Sequence, residues 1–349
     1  MLASRSRPVL VTALNPSIDA EWIVPRVVWE EKNVLSGERR WPGGKGINVS
    51  RWLKHLGVPA RLVLPLGGGS GRELALGLRQ EGVAARVVRL SDATRVNVIV
   101  TTAAQGQLRF NAPGPCLTAH HWRCLCDETR RGLKSAGCLV LSGSLPLGLP
   151  PDAYAQLIGM AHAAGVPALL DCEGEPLRLA VAARPFLVKP NEHELRAWRG
   201  SAWRGADACR TAARALSRVT GGWVLVSRGA AAAWLVHAKQ GICLQALPPK
   251  VRPVNTVGAG DALLAAVAAR IRAGDSPVNW LRHGLAAGSA AAVTPAGRLP
   301  GAARVRRLAA TIRVASGAAN EGAFKFASGR QSPSFRALSV RPSDSYCER

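Results

Sequence analysis

The feature that most restricts the fold of this chain is a regular alternation of short apolar runs with helix-like stretches from residue 138 onwards. The apolar runs lie at 138–141, 168–170, 186–188 and 223–226, and similar runs at 9–13 and 61–66 precede them. Strands that alternate with helices in this way form parallel sheets with helices on both faces. A chain of 349 residues is long enough to bury such a core in one large domain or two smaller ones. The pattern therefore predicts an α/β fold.

Polar residues stand directly after the apolar runs, where the predicted strands end. They are Asp19, Asp171, Asn191, Ser227 and Asp261. In open sheets of this class, ligands bind beyond the carboxyl ends of the strands. We therefore expect these five side chains to meet at one edge of the sheet.

Residues 255–261 (NTVGAGD) place two glycines and a carboxylate where an alanine-rich helix begins. The first turn of a helix has unpaired backbone N–H groups and the positive end of the helix dipole, so it attracts a phosphate or a developing oxyanion. Asp261 could then act as a base beside that anion. The stretch taken alone is equally consistent with a turn followed by a helix N-cap.

A second glycine cluster, at 43–46, leads into a helix predicted to continue through Leu56. Its glycines allow a ligand to approach the backbone closely, and Lys45 and Asn48 can reach that ligand from the start of the helix. The spacing is not that of a P-loop, so the cluster by itself is a weak signal. The flanking segments 20–40 and 94–111 have an extended pattern and could form a small sheet beside the main domain.

The composition changes near the end of the chain. A last helix is predicted at about 299–315, and beyond Ser316 the sequence becomes rich in Ser, Gly, Arg and Pro with few large apolar residues. Such a segment cannot bury enough apolar surface to fold. We predict one folded domain over 1–316 and a disordered tail over 317–349.

The charge of the chain narrows the class of ligand. There are 46 Lys and Arg residues against 22 Asp and Glu, which gives a net charge of +24. A positive surface attracts nucleic acid, nucleotides and sugar phosphates alike. The basic residues are mostly arginines scattered singly, without the blocks and interleaved aromatics of nucleic-acid-binding proteins, so small anions are favoured.

The cysteines and the apolar runs indicate the compartment. The eight cysteines form no CxxC pair and no zinc-type spacing, so reduced and mostly buried thiols are expected. Residues 1–7 are not followed by the apolar segment and cleavage site of a leader peptide. No run approaches the roughly 18 uninterrupted apolar residues of a membrane span. These features predict a cytoplasmic protein without a membrane segment.

Seven short motifs, in order, resemble those of the PfkB carbohydrate kinases, also called the ribokinase family. They are 15–19 (NPSID), 42–49 (PGGKGINV), 94–95 (TR), 142–146 (SGSLP), 188–194 (VKPNEHE), 226–229 (VSRG) and 256–261 (TVGAGD). The chain resembles most the branch that holds 1-phosphofructokinase, tagatose-6-phosphate kinase and the minor bacterial 6-phosphofructokinase. The resemblance covers about 9–315. It implies a ribokinase-like three-layer α/β/α sandwich around a mostly parallel sheet, with a small β-sheet lid.

The resemblance also implies ATP-dependent phosphorylation of a sugar or sugar phosphate with Mg²⁺. Asp261 would be the general base, and the backbone N–H groups of Gly258, Ala259 and Gly260 would stabilise charge on the transferred phosphoryl group. The residues expected to contact substrate are Asp19, Lys32, Gly43, Gly44, Lys45, Asn48, Asn97, Ser144, and Arg95, which would hold the phosphate of the sugar. The residues expected to contact the nucleotide are Lys189, Asn191, Ser227, Gly229, Asn255 and Thr256, while Glu194 would act on magnesium indirectly.

One position departs from the family pattern and leaves the sugar open. Nine residues before Gly43 the phosphosugar branch commonly has an arginine, and this chain has Val34. A phosphate is usually held by more than one cation, and Arg39 or Arg40 could substitute. We favour a phosphorylated ketohexose, namely fructose 6-phosphate, fructose 1-phosphate or tagatose 6-phosphate, because Arg95 and Lys45 remain.

Two alternatives stay open at this point. The first is a kinase of the same family for an unphosphorylated sugar or a nucleoside. The second, less favoured, is a non-catalytic protein whose basic surface binds nucleic acid. The edge strands of the lid further predict a homodimer formed through the lid.

Overall fold

The computed structural model describes residues 7–102, 106–200, 203, 205–318 and 325–326. Its strands are β1 (Val9–Thr12), β2 (Ser17–Val24), β3 (Gly37–Gly43), β4 (Ala60–Gly67), β5 (Ala84–Leu90), β6 (Arg95–Thr102), β7 (Gly106–Phe110), β8 (Cys138–Ser142), β9 (Ala168–Asp171), β10 (Leu187–Val188), β11 (Trp223–Val226), β12 (Ala233–His237), β13 (Ile242–Ala246), β14 (Val314–Ala318) and β15 (Lys325–Phe326). Its α-helices are α1 (Lys45–His55), α2 (Gly68–Gln80), α3 (Ala119–Leu133), α4 (Ala153–Ala163), α5 (Gly174–Ala182), α6 (Glu192–Arg199), α7 (Ala206–Thr220), α8 (Ala259–Arg272), α9 (Pro277–Ala292) and α10 (Ala302–Thr311).

Eleven of these strands form a large sheet in the order β15-β14-β13-β12-β11-β10-β9-β8-β1-β4-β5. From β11 to β5 each strand is parallel to its neighbour. From β11 to β15 the neighbours are antiparallel. The apolar runs from 9–13 to 223–226 thus form parallel strands of the sheet, as predicted.

Helices cover both faces of the large sheet. On β1, Val9 and Val11 belong to the core under α1, α2, α8, α9 and α10, whereas Leu10 belongs to the core under α3 to α7. Successive side chains of a strand point to opposite faces, so a strand between two helical layers must be apolar throughout. This explains the unbroken apolar runs of the sequence and confirms the three-layer α/β/α arrangement.

The remaining strands form a small sheet in the order β3-β2-β6-β7, which we call the lid sheet. Strand β2 pairs antiparallel with β3 and parallel with β6, so that Asp19 lies opposite Trp41 on one side and Asn97 on the other. The predicted extended segments 20–40 and 94–111 supply these strands. The prediction of a small sheet beside the main domain is therefore confirmed.

The structure differs from the sequence interpretation at two places in the large sheet. Strand β5 forms one edge, although its alternating polar residues gave no expectation of a strand in the core sheet. The helix expected at about 299–315 ends at Thr311, and the chain then forms β14, which pairs with β13. A five-residue strand of small side chains is held mainly by backbone hydrogen bonds, so composition does not reveal it.

Strand β14 runs to Ala318 and therefore crosses the expected boundary at 316. Within the expected tail, Lys325–Phe326 form β15, which pairs with β14. Residues 319–324 and 327–349 lie outside the described residues.

The other expectations on composition concern thiols and membranes. Five cysteines, at 126, 138, 172, 209 and 243, are buried free thiols, as the spacing predicted. Within the described ranges, helices of the length and apolar character that a bilayer crossing requires are absent.

Candidate active site

A cleft of about 780 Å³ lies between the carboxyl ends of the parallel strands and the lid sheet. Most of the residues predicted from the sequence line it. They are Asp19, Gly44, Lys45, Asn48, Arg95, Asn97, Ser144, Lys189, Asn191, Glu194, Ser227, Thr256, Gly258, Gly260 and Asp261. Residues from seven separate motifs thus reach one cavity, at the edge of the sheet where ligands of this fold class bind.

The other five predicted residues lie beside or away from the cleft. Gly43 is behind Asp19, and a Cβ atom there would overlap the Asp19 carboxylate. The side-chain Oδ1 of Asn255 accepts the N–H of Val257 at 3.1 Å and shapes the turn before α8. Ala259 is the first residue of α8, and Gly229 is exposed in the turn after β11. Lys32 is exposed on the loop between β2 and β3 and does not line the cleft.

Asp261 lies in the first turn of α8, at the floor of the cleft. Gly258 caps this helix in a left-handed conformation (φ 77°), which a glycine adopts without strain. The Asp261 side chain is buried, and Asn48 Nδ2 donates to its Oδ2 at 2.9 Å. Burial and the nearby Asp171 raise the pKa of Asp261 to about 6, against the lowering effect of Asn48, Lys45 and Lys189. A carboxylate with such a pKa is suited to accept a proton near neutral pH.

The amides around Asp261 are arranged as at other helix starts. The Ala259 N–H donates to the Thr256 carbonyl at 3.3 Å and closes the turn. Gly260 begins the helix next to Lys189, since a Cβ atom at this position would lie 3.5 Å from the Lys189 Nζ. Of the three amides expected to hold an anion, Gly258 and Gly260 border the cleft, whereas that of Ala259 is used by the turn.

Two lysines meet on Asp171, which ends β9 and is buried. Lys45 Nζ lies 3.3 Å and Lys189 Nζ 3.2 Å from Asp171 Oδ1. Burial would raise the pKa of Asp171, but the two ammonium groups outweigh it and hold that pKa below its usual value. Lys45 also lies 3.6 Å from Glu194, and although burial opposes its charge, these carboxylates raise its pKa. Lys45 therefore keeps its charge, and the contacts with Asp171 hold both lysines in place beside the cleft.

Asp19 faces the cleft from the lid sheet. Its Oδ1 accepts hydrogen bonds from Ser17 Oγ at 2.8 Å and from Asn97 Nδ2 at 3.1 Å. Burial raises the pKa of Asp19, while these two hydrogen bonds and the charges of Arg95 and Arg51 lower it. A fixed carboxylate with a free acceptor direction is suited to bind the hydroxyl groups of a sugar.

Two arginines face the cleft from the same side. Arg95 donates to the carbonyls of Ala112 and Asn15, each at 2.8 Å, which fixes its guanidinium group. Arg109, on β7, is exposed and donates to Gln107 at 3.3 Å. Sequence reasoning missed Arg109. The alternation of β7 could have indicated it, because Arg109 stands opposite Ile99 on the side of the sheet that faces the cleft.

The substitutes considered for the missing lid arginine are engaged elsewhere. Val34 is 68% exposed on the loop between β2 and β3. Arg39 forms an ion pair with Glu21, and Arg40 forms one with Glu73 at 2.8 Å. Neither lines the cleft. Arg109, rather than Arg39 or Arg40, is therefore the second guanidinium group at the cleft.

The end of the cleft opposite the lid sheet is formed by the start of α6 and by the turn after β11. Asn191 caps α6: its Oδ1 accepts the N–H of Glu194 at 2.8 Å, and Glu194 Oε2 accepts the N–H of Asn191 at 2.8 Å. This reciprocal pair is a capping box. Asn191 also forms a bridge with Ser227, which ties the two turns together.

Comparison with known proteins identifies the family. Residues 17–300 match the family model described as "pfkB family carbohydrate kinase". The chain is 36% identical to the ATP-dependent 6-phosphofructokinase isozyme 2 of Escherichia coli over 296 residues, 83% of this chain and 94% of that protein. It is 35% identical to the 1-phosphofructokinase of Rhodobacter capsulatus over 262 residues, 74% of this chain and 81% of that protein.

Solved structures agree with this assignment. The crystal structure of phosphofructokinase-2 from Escherichia coli in complex with fructose-6-phosphate matches with a TM-score of 0.79 and 33% identity, over 87% of this chain and 98% of that one. The tetrameric inhibited form of the same enzyme matches with a TM-score of 0.81. The resemblance inferred from the seven motifs is therefore confirmed: the chain belongs to the pfkB family of carbohydrate kinases, enzymes that transfer a phosphoryl group to an alcohol.

Proposed function

We propose that this protein phosphorylates a ketohexose phosphate with ATP and forms the bisphosphate. The observation that carries the proposal is the arrangement of the cleft, which has a buried carboxylate at a helix start on its floor and two guanidinium groups on its lid side. The carboxylate suits a general base beside an anion, and the guanidinium groups suit a phosphate already present on the substrate. Relatives named 6-phosphofructokinase and 1-phosphofructokinase support the same class of substrate.

In the proposed reaction, Asp261 accepts the proton of the sugar hydroxyl. The oxygen of that hydroxyl forms a bond to the γ-phosphorus of ATP, the bond between this phosphorus and the β–γ bridging oxygen breaks, and ADP leaves. Backbone N–H groups at Gly258 and Gly260, with Lys45 and Lys189, stabilise the charge on the transferred group. Asp19 and Asn97 hold sugar hydroxyls, with Asn48 orienting Asp261. Ser144 borders the same pocket.

ATP would lie along the end of the cleft formed by Asn191, Ser227 and Thr256. Magnesium, when bound, neutralises charge on the phosphates. Both carboxylate oxygens of Glu194 already have partners: one accepts the Asn191 N–H, and the other lies 3.6 Å from the Lys45 Nζ. Contact with the metal through a bound water molecule therefore fits Glu194 better than direct coordination. Magnesium keeps several waters and takes one or two carboxylates together with phosphate oxygens, which agrees with this donor set.

Two rival functions differ in what they require of the cleft. A kinase for an unphosphorylated sugar or nucleoside would not need Arg95 and Arg109 on the substrate side. A non-catalytic protein that binds nucleic acid would not need a buried base, and its binding would weaken steeply with salt. The two arginines therefore count against the first rival, and the buried Asp261 counts against the second.

We further propose a homodimer formed through the lid sheet. Strands in register place Trp22, Val100 and Leu108 in one row, and Phe110 lies on the same face, away from the cleft. Trp22 is 37%, Leu108 43% and Phe110 57% exposed. An apolar face of this kind is usually covered by a partner, and a second copy presents the same face.

The first test concerns the base. Replacing Asp261 by Asn removes the proton acceptor but keeps the size of the side chain and the contact with Asn48. We expect turnover to fall by at least about 10²-fold, the usual contribution of a general base, with ATP affinity nearly unchanged. A coupled ADP-release assay and calorimetric titration of ATP measure the two quantities. Near-normal turnover of Asp261→Asn would show that another group accepts the proton.

The pKa of Asp261 leads to a second prediction. Because the acceptor must be deprotonated and its pKa is raised to about 6, kcat/KM should fall as the pH drops below about 6. A sugar phosphate titrates near the same pH, so the wild-type profile alone is ambiguous. Replacing Asn48 by Ala removes a hydrogen bond that stabilises the carboxylate, and the acid limb should move to higher pH. If the acid limb of the kcat/KM profile stays at the same pH in Asn48→Ala, that limb reflects ionisation of the substrate and not of Asp261.

The third prediction separates phosphorylated from free sugars. An Arg109→Ala variant should raise KM for fructose 6-phosphate by about 10- to 100-fold, the value of a hydrogen bond to a charged group, and leave KM for fructose within about twofold. Arg89→Ala is the matched control, because Arg89 is exposed on β5 and away from the cleft. Equal increases for both sugars would mean that Arg109 acts on structure, and a wild-type preference for free fructose would favour the first rival.

The fourth prediction concerns assembly. Phe110→Lys places a charge in the apolar face of the lid sheet and should reduce the mass measured by light scattering to that of one chain. Leu76→Lys, on α2 with 55% exposure, is the control and should keep the dimer mass. A wild-type protein with the mass of one chain, or a Phe110→Lys variant that remains dimeric, would contradict assembly through the lid.

A further inference from the structure

A second cavity, of about 440 Å³, lies on the face of the large sheet covered by α1, α8, α9 and α10, and none of the residues that line it also lines the cleft. Its walls come from the end of α1 and the residues after it, from the carboxyl half of α8 and from one side of α9 and α10. Helix α8 carries Asp261 in its first turn and lines this cavity from Ala266 onwards, about 8 Å away along the helix at 1.5 Å per residue. The cavity is therefore separate from the groups to which we assign the reaction.

The lining of this cavity is positively charged. Arg270, Arg272 and Arg306 contribute guanidinium groups, and none of the described residues that line the cavity is acidic. Arg270 is partly neutralised by an ion pair with Asp275 at 3.1 Å, and Arg272 is buried and donates to the carbonyl of Arg7. Arg306 is exposed, and among the described residues it has no hydrogen bond or ion pair. The cavity therefore has at its rim a cation that is available to a ligand.

The inner wall of the cavity is apolar. Ala266, Ala269 and Val305 are buried and line it together with the partly buried Leu56 and Val58. Small side chains on α8 leave the space open. A ligand that fills this space would gain from contact with its apolar surface as well as from charge.

His55 adds a polar atom without a partner in the part of the chain that the structure describes. Its ring stands edge-on to Trp52, with centroids 5.5 Å apart, and it lines the cavity. The Nε2 atom is buried and has no hydrogen-bond partner among the described residues. Buried polar atoms are nearly always hydrogen-bonded, so His55 brings to the wall of the cavity a ring whose second polar contact is not made within the described residues.

Helix capping accounts for only part of this charge. Arg270 and Arg272 lie in the last turn of α8 and His55 in the last turn of α1, where cations interact favourably with the helix dipole. Arg306 lies in the middle of α10 and caps no helix. Its position over an apolar cavity therefore calls for another explanation.

We propose that this cavity binds an organic anion that carries a phosphate or carboxylate on an apolar body. The charged group pairs with Arg306 at the rim, and the apolar body lies on Ala269 and Val305. Such a ligand differs from a sugar phosphate, whose body is polar, and from ATP, whose ring is separated from the phosphates by a ribose. The site is independent of the proposed function and could be present in a kinase for any sugar.

Calorimetric titration of the whole chain with four probes tests the site. Phenyl phosphate and benzoate combine a charged group with a ring, inorganic phosphate has the charge alone, and benzyl alcohol has the ring alone. We expect the two aromatic anions to bind at least about fivefold more tightly than the other two probes. The ratio of the dissociation constants of phenyl phosphate and benzoate then identifies the preferred charged group. No detectable binding of either aromatic anion, or equal binding of inorganic phosphate, would overturn the proposal.

A pair of variants locates the binding. Arg306→Glu should weaken phenyl phosphate about tenfold or more, because a carboxylate replaces the cation at the rim. Arg307→Glu, the exposed neighbour outside the cavity, makes the same change in net charge and should weaken it less than about twofold. Any binding of phenyl phosphate in the cleft is the same in both variants and therefore does not affect the difference between them. Equal losses in the two variants would assign the binding to the general positive field of the surface.

Discussion

The buried carboxylate of Asp171 organises the cleft, because two lysines from different elements meet on it. Lys45 comes from the start of α1 and Lys189 from the end of β10, and both ammonium groups lie within 3.3 Å of Asp171 Oδ1. An unpaired buried carboxylate would cost several kcal/mol, and the two lysines supply the charge that compensates it. The three groups fix the start of α1 against the sheet, and Asn48 on the same helix then holds Asp261 in turn.

Features that leave a local pattern in the sequence could be predicted, whereas features that depend on strand pairing in space could not. The parallel strands were predictable because burial on both faces leaves unbroken apolar runs, and the polar residues after them marked the cleft. Strand β5, at one edge of the sheet, and strand β14, next to the other edge, were not predictable, since strands there need backbone partners more than apolar side chains. Arg109 was missed for a related reason. A single arginine on an exposed strand has no distinctive sequence, and only the pairing with Ile99 shows which face it occupies. Lys32 was expected at the substrate, but its loop leaves it on the surface.

The lid sheet combines two surfaces through the period-2 alternation of its strands. Asp19, Asn97 and Arg109 face the cleft, while Trp22, Leu108 and Phe110 face away from it. A shift of one residue in the pairing of β2 with β6 would exchange these faces and place apolar side chains against the substrate. The hydrogen bonds from Asn97 to Ser17 and Asp19 hold the register that keeps them apart.

The hydrogen bond between Asn48 and Asp261 joins residues that are 213 positions apart in the chain. Nearly the whole domain lies between the two halves of this pair, and closing so long a loop comes late in folding because its entropy must be offset by contacts already made. During synthesis, the lid strands and α1, with the residues proposed to bind the sugar, leave the ribosome long before Asp261 does. The proposed base therefore joins the cleft only when α8 packs against α1.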